Sequence, residues 1–253
     1  MALPFLETAT NYAPALWPEL DIRIEEEHLS VRSPASRLRT LGSALWGGGY
    51  GEADRFVNLH VSKDFNSPSP SAFLETWLER RGYAKTGTVG LMTAARLEYA
   101  SVHEAEGDRF RIVVCTTAGL GNAARAGVER PVFSAYRAGT INTFIFVQGA
   151  MTASGMLEAL VAATEAKAAA LQDLSVTDLK TGLIATGTTS DAVVLAYSPD
   201  HFKGVVHQHA GTATELGNAI GRLVSLSLSE CVAAQRSGGI QNTAKEGEIV
   251  WTR

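Results

Sequence analysis

The chain has 253 residues, of which 45% are hydrophobic and 19% are charged, and its formal net charge is −4. It has no basic cluster, no long apolar run and no basic-then-apolar start, so we expect no nucleic-acid partner, membrane span or signal peptide. Two cysteines are too few for a disulfide framework or a zinc site. We therefore predict a cytoplasmic protein with a single domain over residues 1–253.

The first half of the chain predicts short strands and one short helix. Residues 1–20 contain three prolines and no regular period, which predicts a loosely ordered lead-in. Alternating apolar residues over 56–62 predict a half-buried strand, and helical spacing over 73–78 predicts a short helix. Segments 97–104 and 109–117 predict an antiparallel hairpin.

The second half predicts one strand and the two longest helices. The strand covers residues 140–147, and the helices cover residues 152–174 and 212–236. A final short strand is predicted over 248–251, after a Ser-Gly-Gly break. Hairpins combined with two long helices predict an α+β fold, in which a mostly antiparallel or mixed β-sheet is packed by these helices.

Two turns rich in glycine and threonine share a pattern. They cover residues 117–123 and 186–192, and an Ala-Gly-Thr triplet follows each turn. One interpretation is a weak internal duplication, with two pseudo-repeated halves whose turns line one site. The alternative is that such turns resemble one another by chance. Either way, small residues, hydroxyls and the carboxylate of Asp191 are concentrated there.

Lys167 interrupts the apolar stripe of the helix predicted over 152–174. It falls on the same side of the helical wheel as Met156, Leu160 and Leu171. A lysine at such a position must extend to solvent, pair with an acid or serve a site. We expect Asp191 to lie beside it, either as a structural partner or as part of a catalytic site.

Several runs of small residues resemble the adenosylcobinamide amidohydrolases. They are Thr-Thr-Ala-Gly-Leu-Gly-Asn-Ala (116–123), Gly-Thr-Ile-Asn-Thr (139–143), Thr-Glu-Ala-Lys-Ala-Ala-Ala-Leu (164–171), Ala-Thr-Gly-Thr-Thr-Ser-Asp-Ala (185–192) and Ala-Gly-Thr-Ala-Thr-Glu-Leu-Gly (210–217). The Gly-Gly-Gly run at 47–49 and Thr-Val-Gly-Leu-Met-Thr-Ala at 88–94 also fit, so the resemblance spans roughly residues 40–236.

This resemblance implies a hydrolase that cleaves the amide between the propionyl arm of the corrin ring and an aminopropanol group. The implied product is cobyric acid, and the implied role is the salvage or remodelling of corrinoids. The cobalt-containing corrinoid is then a small-molecule substrate, and no separate cofactor is expected. The oligomeric state does not follow from the sequence.

Hydrolysis of an unactivated amide needs a nucleophile, a proton donor for the leaving amine and stabilisation of an oxyanion. The sequence has no Gly-x-Ser-x-Gly elbow and no zinc-protease motif, which leaves carboxylates and hydroxyls. We predict Glu165 and Asp191 as the acid–base pair, with the Lys167 ammonium orienting a catalytic acid or a substrate amide oxygen. Thr140 and Thr188 are candidates for nucleophile or oxyanion donor. An exposed helix acid and a turn-forming aspartate are the alternative interpretations of the two carboxylates.

The residues predicted to contact the corrinoid lie in the same turns and beside the glycine run. They are Thr117, Gly119, Asn122, Asn142, Thr186, Thr188, Trp46 and Tyr50. The asparagines would hold corrin side-chain amides, and the two aromatic residues would form a floor for the flat ring. Turn formation and core packing are the respective alternatives.

Four further possibilities are considered at this point. His207 and His209 can face one way on a strand and bind a metal, but no third ligand follows by spacing, so no metal site is predicted. Cys115 is a possible nucleophile, although a cysteine within a β-branched run is more typical of the core. A non-catalytic corrinoid-binding protein and a metal-dependent hydrolase of another amide are the competing functions.

Overall fold

The computed structural model describes residues 3–130, 139–200 and 202–246, with side chains described up to residue 237. The strands are β1 (Asn11–Tyr12), β2 (Asp21–Glu25), β3 (His28–Arg32), β4 (Leu38–Gly42), β5 (Gly49–Ala53), β6 (Arg55–His60), β7 (Thr88–Thr93), β8 (Ser101–Glu106), β9 (Arg111–Ala118), β10 (Ala123–Ala124), β11 (Ile141–Gln148), β12 (Ala150–Met151), β13 (Gly187–Thr188), β14 (Ala192–Tyr197) and β15 (Val206–His207). The helices are α1 (Pro70–Arg80), α2 (Ala153–Asp173) and α3 (Glu215–Glu246).

Two mixed sheets form the centre of the molecule. The first has the order β1-β2-β3-β6-β7 and is antiparallel except for the β6–β7 pair. The second has the order β5-β4-β14-β11-β9-β8 and is antiparallel except for the β11–β14 pair. The predicted α+β class, with mixed sheets and two long helices, is confirmed.

The sheets and helices stack in four layers. The inner faces of the two sheets share a core in which the Phe56 ring meets the Phe146 ring edge-on, with 4.9 Å between centroids. Helices α2 and α3 cover the other face of the second sheet, and α1 covers the outer face of the first. Strand β6 is therefore buried on both faces, with Val57 and Leu59 against α1, and the prediction of a half-buried strand is wrong.

The lead-in is part of the core rather than loosely ordered. The side chains of Phe5, Trp17 and Leu20 are buried, and β1 pairs with β2. The Glu104 carboxylate accepts hydrogen bonds from the Tyr12 hydroxyl and from the Leu16 N–H, the latter at 2.7 Å. Burial, reinforced by this carboxylate, raises the pKa of Tyr12 above its ordinary value. The prolines therefore shape a packed segment.

Both long helices are confirmed. Each has one feature that the prediction lacks, which is an exposed leucine in α2 and a longer C-terminal part in α3. Helix α2 begins after Thr152, whose hydroxyl accepts a hydrogen bond from the Gly155 N–H at 3.1 Å. Alanines make up much of its buried face, whereas Leu157 is exposed. Helix α3 continues through the predicted Ser-Gly-Gly break, and the strand predicted over 248–251 lies outside the described residues. In the part of the chain that the structure describes, no helix is long and apolar enough to cross a membrane.

The two similar turns meet at one edge of the second sheet. Strand β9 runs antiparallel to β11 and β14 runs parallel to it, so the end of β9 and the starts of β11 and β14 share an edge. There β10 pairs with β13 in an antiparallel bridge between the turns. Their predicted proximity is confirmed. The first turn follows its long strand whereas the second precedes one, and the internal duplication stays a prediction.

Candidate active site

A cavity of about 490 Å³ lies where strand ends from both sheets come together. Its walls are mostly apolar, and its volume is typical of a small-molecule pocket. Three polar side chains contributed by the second sheet and its turn lie along it, those of Thr140, Asn142 and Ser190. The remaining lining residues are Ser43, Ala44, Leu45, Val61, Phe65, Ser67, Pro68, Pro70, Leu91, Met92, Thr93, Ala94 and Ala192.

A buried ion pair joins α2 to the turn at this cavity. The Lys167 ammonium lies 2.5 Å from Asp191 Oδ2, and the two side chains are 11% and 10% exposed. The predicted contact between these residues is confirmed. Asp191 Oδ2 also accepts the Thr188 N–H at 3.0 Å, while Oδ1 accepts the Thr188 hydroxyl at 2.5 Å and the Ile141 N–H at 3.1 Å.

These four donors occupy about the full acceptor capacity of an ionised carboxylate. Asp191 therefore ties the turn, the start of β11 and α2 together, and it has no lone pair left over to take a proton from a substrate. This geometry favours a positioning role for Asp191 over the predicted role as an acid or base.

The close approach of Lys167 and Asp191 requires glycine at position 187. A Cβ atom there would lie 2.3 Å from Asp191 Oδ2 and 2.8 Å from Lys167 Nζ. Both distances are far inside van der Waals contact, so only a residue without a side chain leaves the ion pair intact.

A pair of hydroxyl groups lies beside the ion pair and lines the cavity. Thr140 Oγ1 and Ser190 Oγ are 2.8 Å apart, and the Ser190 hydroxyl can also donate to the Gly139 carbonyl at 3.0 Å. Asn122 Nδ2 approaches Ser190 Oγ at 3.4 Å and donates to Thr189 Oγ1 at 2.7 Å. Sequence reasoning predicted Thr140 but missed Ser190. Its position directly before Asp191 in a hydroxyl-rich turn was the available signal.

A chain of hydrogen bonds runs from Asn142 through Asn58 to Thr117, and we call it the asparagine ladder. Asn142 Nδ2 donates to Asn58 Oδ1 at 2.8 Å and to the Met92 carbonyl at 2.9 Å, and Asn58 Nδ2 donates to Thr117 Oγ1 at 2.8 Å. These residues are buried and connect both sheets. Asn58 was not predicted. Among the residues that the structure describes, the buried Asn142 Oδ1 and Asn122 Oδ1 atoms have no hydrogen-bond partner.

Glu165 is not brought to this site. It is exposed on α2, two residues from the buried Lys167 and therefore on the opposite side of the helix. A carboxyl group there cannot exchange a proton directly with a substrate held beside Asp191. The predicted pairing of Glu165 with Asp191 as acid and base is thus corrected by the helix geometry.

The aromatic floor predicted from Trp46 and Tyr50 lies outside the cavity and stays a prediction. The Trp46 indole donates to the Lys85 carbonyl at 3.2 Å, and Tyr50 is exposed on β5, with its hydroxyl 3.3 Å from Arg39. Neither residue is among the described cavity walls, where Leu45 and Phe65 lie instead.

The remaining predicted contacts support the turns more than they face the cavity. The Gly119 N–H donates to the Thr140 carbonyl at 3.0 Å, and Thr117 accepts from the asparagine ladder. Thr186 Oγ1 accepts the Ala126 N–H at 2.9 Å, and Thr188 is bound to Asp191. Contact of these residues with a substrate stays a prediction.

The alternative chemistries occupy other parts of the molecule. His207 Nε2 lies 3.0 Å from the Arg109 carbonyl, and His209 Nδ1 lies 3.0 Å from Glu158 Oε1. Within residues 3–130, 139–200 and 202–246, no three metal-ligating side chains cluster. Cys115 is a buried core residue, and burial raises the pKa of its thiol to about 12, which disfavours the reactive thiolate.

A family match and a named relative give the same description of this class of protein. The family described as adenosylcobinamide amidohydrolase matches residues 17–239. The adenosylcobinamide amidohydrolase of Methanosarcina mazei is 32% identical over 179 residues, which cover 68% of this chain and 80% of that protein. An uncharacterised protein of Methanocaldococcus jannaschii is 30% identical over 176 residues, covering 62% of this chain and 68% of that protein.

Two solved structures show a more distant likeness, each at 9% identity. A Pyrococcus horikoshii protein has a TM-score of 0.40 and covers 84% of this chain and 77% of its own. A Burkholderia beta-aminopeptidase has a TM-score of 0.42 and covers 83% and 78%, respectively. The sequence matches, which extend over most of the chain and its strand-end turns, decide the assignment. The chain belongs to the adenosylcobinamide amidohydrolase family.

Proposed function

We propose that this protein hydrolyses the amide that joins the propionyl arm of the corrin ring to the aminopropanol group of adenosylcobinamide. Cobyric acid and the free amino alcohol are the products, and the reaction would serve cytoplasmic salvage or remodelling of corrinoids. Family membership supports the substrate class. The observation that carries the proposal is the pair of hydroxyl groups, Thr140 and Ser190, on the wall of a mostly apolar cavity.

The cavity size suggests how such a substrate binds. A volume of about 490 Å³ is too small for the whole macrocycle with its side arms, but it is large enough for one arm and its amide. The ring then lies outside, against exposed apolar side chains such as those of Leu45 and Phe73 near the cavity. Only the scissile arm reaches the hydroxyl pair.

The residues of the site divide into two groups by what they can contact. The hydroxyls of Thr140 and Ser190 are available as nucleophile or as donors to a developing oxyanion. Asp191 acts through the turn, because its acceptor sites are used within the protein, and Lys167 acts through its contact with Asp191. Water supplies the oxygen of the product acid and the proton of the released amine.

The test is to incubate the purified chain with adenosylcobinamide and to measure both products by mass spectrometry. Substrate binding is followed separately through the corrinoid absorbance. We expect cobyric acid and aminopropanol in equal amounts without added metal. Binding without either product would instead indicate a corrinoid-binding protein, and loss of turnover on chelation would indicate a metal-dependent hydrolase.

A further inference from the structure

We infer that Asn142 recognises the N–H group of the scissile amide and thereby makes the site selective for secondary amides. This inference rests on the proposed function and deepens it. It depends on a residue that lines the cavity and whose buried side-chain oxygen, Asn142 Oδ1, has no hydrogen-bond partner among the described residues.

The hydrogen bonds around Asn142 fix which way its amide faces. Its Nδ2 group has acceptors for both hydrogens, Asn58 Oδ1 at 2.8 Å and the Met92 carbonyl at 2.9 Å. A flipped amide would set its oxygen against these two oxygen acceptors, so the assignment is determined by the network. Oδ1 is left as a pure acceptor, and it is closed to bulk water. Because Asn142 is one of the residues that line the cavity, a donor on a bound substrate can supply the missing partner once the atoms that cover Oδ1 move aside.

Asn142 is placed to act together with the hydroxyl pair. Thr140 directly precedes β11 and Asn142 is its second residue; both side chains line the cavity, as expected for positions two apart along an extended segment. Two such positions are about 6.5–7 Å apart along a strand. A single amide with one hydrogen bond at each end spans about this distance. Its carbonyl oxygen then meets the Thr140 and Ser190 hydroxyls, and its N–H meets Asn142 Oδ1 when the atoms that cover Oδ1 are displaced.

This arrangement distinguishes amides from compounds of the same shape that lack the N–H. An ester or an N-methylated amide leaves Oδ1 unpaired, and the free energy lost corresponds to at least about 10-fold in affinity. The carbonyl interactions stay the same. Selectivity is then carried by Asn142 alone, separately from the hydroxyl chemistry.

The test compares two substrates in two enzymes. The substrates are adenosylcobinamide and its ester analogue, in which oxygen replaces the amide N–H, and the enzymes are the wild type and Asn142→Leu. We expect the substitution to lower kcat/KM for the amide at least about 10-fold more than for the ester. An equal loss for both substrates would show that Asn142 is merely structural. Cleavage of neither substrate by the wild type would overturn the proposed function and this inference together.

A second measurement does not depend on the Asn142 variant folding. In Ser190→Ala, chosen for slow turnover, the dissociation constants of adenosylcobinamide and its N-methylated form are compared directly. We expect the N-methylated compound to bind at least about 10-fold more weakly. Equal affinities would overturn the role of Asn142 while leaving the hydrolase proposal intact.

Discussion

Helix α2 is connected to two loops by polar side-chain contacts that differ in burial. Near its C-terminal end, Lys167 and Asp191 are 2.5 Å apart, with side chains 11% and 10% exposed. Near its N-terminal end, Glu158 and His209 are 3.0 Å apart, with side chains 35% and 68% exposed. The contacts are similar, but water can replace only the exposed one. The buried pair therefore organises the candidate site, whereas the exposed pair is a surface link.

The largest expected effect follows from removing the buried cation. Lys167→Met leaves the Asp191 carboxylate buried without its counter-charge, which costs about 3–5 kcal/mol of unfolding free energy. We expect turnover to fall as well, because the turn that carries Ser190 loses its anchor. Denaturant unfolding and the cobinamide assay measure the two effects.

The double variant Lys167→Met, Asp191→Asn is the control for this prediction. It removes both charges, so it should recover part of the stability that the single variant loses. A single variant as stable as the wild type would show that the buried pair matters no more than the exposed one.

The difference between the two pairs also shows what the sequence could predict. Lys167 was identifiable because a helical wheel depends only on local spacing, and a lysine on an apolar stripe requires a partner. The same geometry already put Glu165 on the opposite side of α2, and only the family resemblance favoured it. The overall α+β class and both long helices likewise followed from periodicity.

Features that depend on distant segments were predicted less well. The contact of Ser190 with Thr140 exists because β11 pairs with β14 in a register that sets Asn142 beside Ala192. No local pattern specifies that register. The exposure of Tyr50 likewise follows from the pairing of β4 with β5 at the sheet edge, which its residue type does not indicate.

Removing the Ser190 hydroxyl tests whether the turn that the buried pair anchors takes part in the chemistry. We expect Ser190→Ala to lower kcat about 10²-fold or more, the usual scale for a lost nucleophile partner or oxyanion donor, with little change in Tm. Ser43→Ala is a matched control, because Ser43 lines the same cavity outside the hydroxyl pair. If Ser190→Ala kept wild-type turnover, the reacting hydroxyl would have to be that of Thr140.

Adding a methyl group between the buried partners should separate them. Gly187→Ala sets a Cβ 2.3 Å from Asp191 Oδ2, and overpacking of this kind costs about 1–3 kcal/mol. Gly221→Ala on α3 is the matched control, since its Cβ meets nothing closer than 3.8 Å and helix propensity favours alanine. Thermal unfolding of both variants makes the comparison. Equal stability of the two would contradict the close approach at Gly187.

The exposed pair should show a small pH-dependent effect. Hydrogen bonds from His209 and then from the Ala210 N–H hold the pKa of Glu158 below its ordinary value. The unfolded chain therefore binds this proton at a higher pH than the folded chain does. The ionised Glu158 side chain therefore stabilises the folded chain above a pH of about 4.3, the ordinary pKa of an unfolded glutamate. This stabilisation is lost as the pH falls through the pKa of Glu158 in the folded chain.

The measurement is the difference in Tm between the wild type and Glu158→Gln as a function of pH. We expect a small difference at neutral pH that disappears on acidification, because the pair is exposed to solvent. A difference that grew at acid pH would contradict the assigned direction of the pKa shift.

The smallest effect is expected at Glu165, the residue for which sequence and structure disagree most. If Glu165 were a general acid or base, its replacement by glutamine would lower the turnover of the enzyme about 10²-fold. Its exposed position, on the side of α2 opposite Lys167, instead predicts wild-type turnover and an unchanged Tm for Glu165→Gln. Lys167→Met measured in parallel is the positive control, because it lies only two residues away on the same helix. A 10²-fold loss in Glu165→Gln would mean that the reacting groups meet on the outer face of α2, and the assignment of the cavity beside Asp191 as the active site would be wrong.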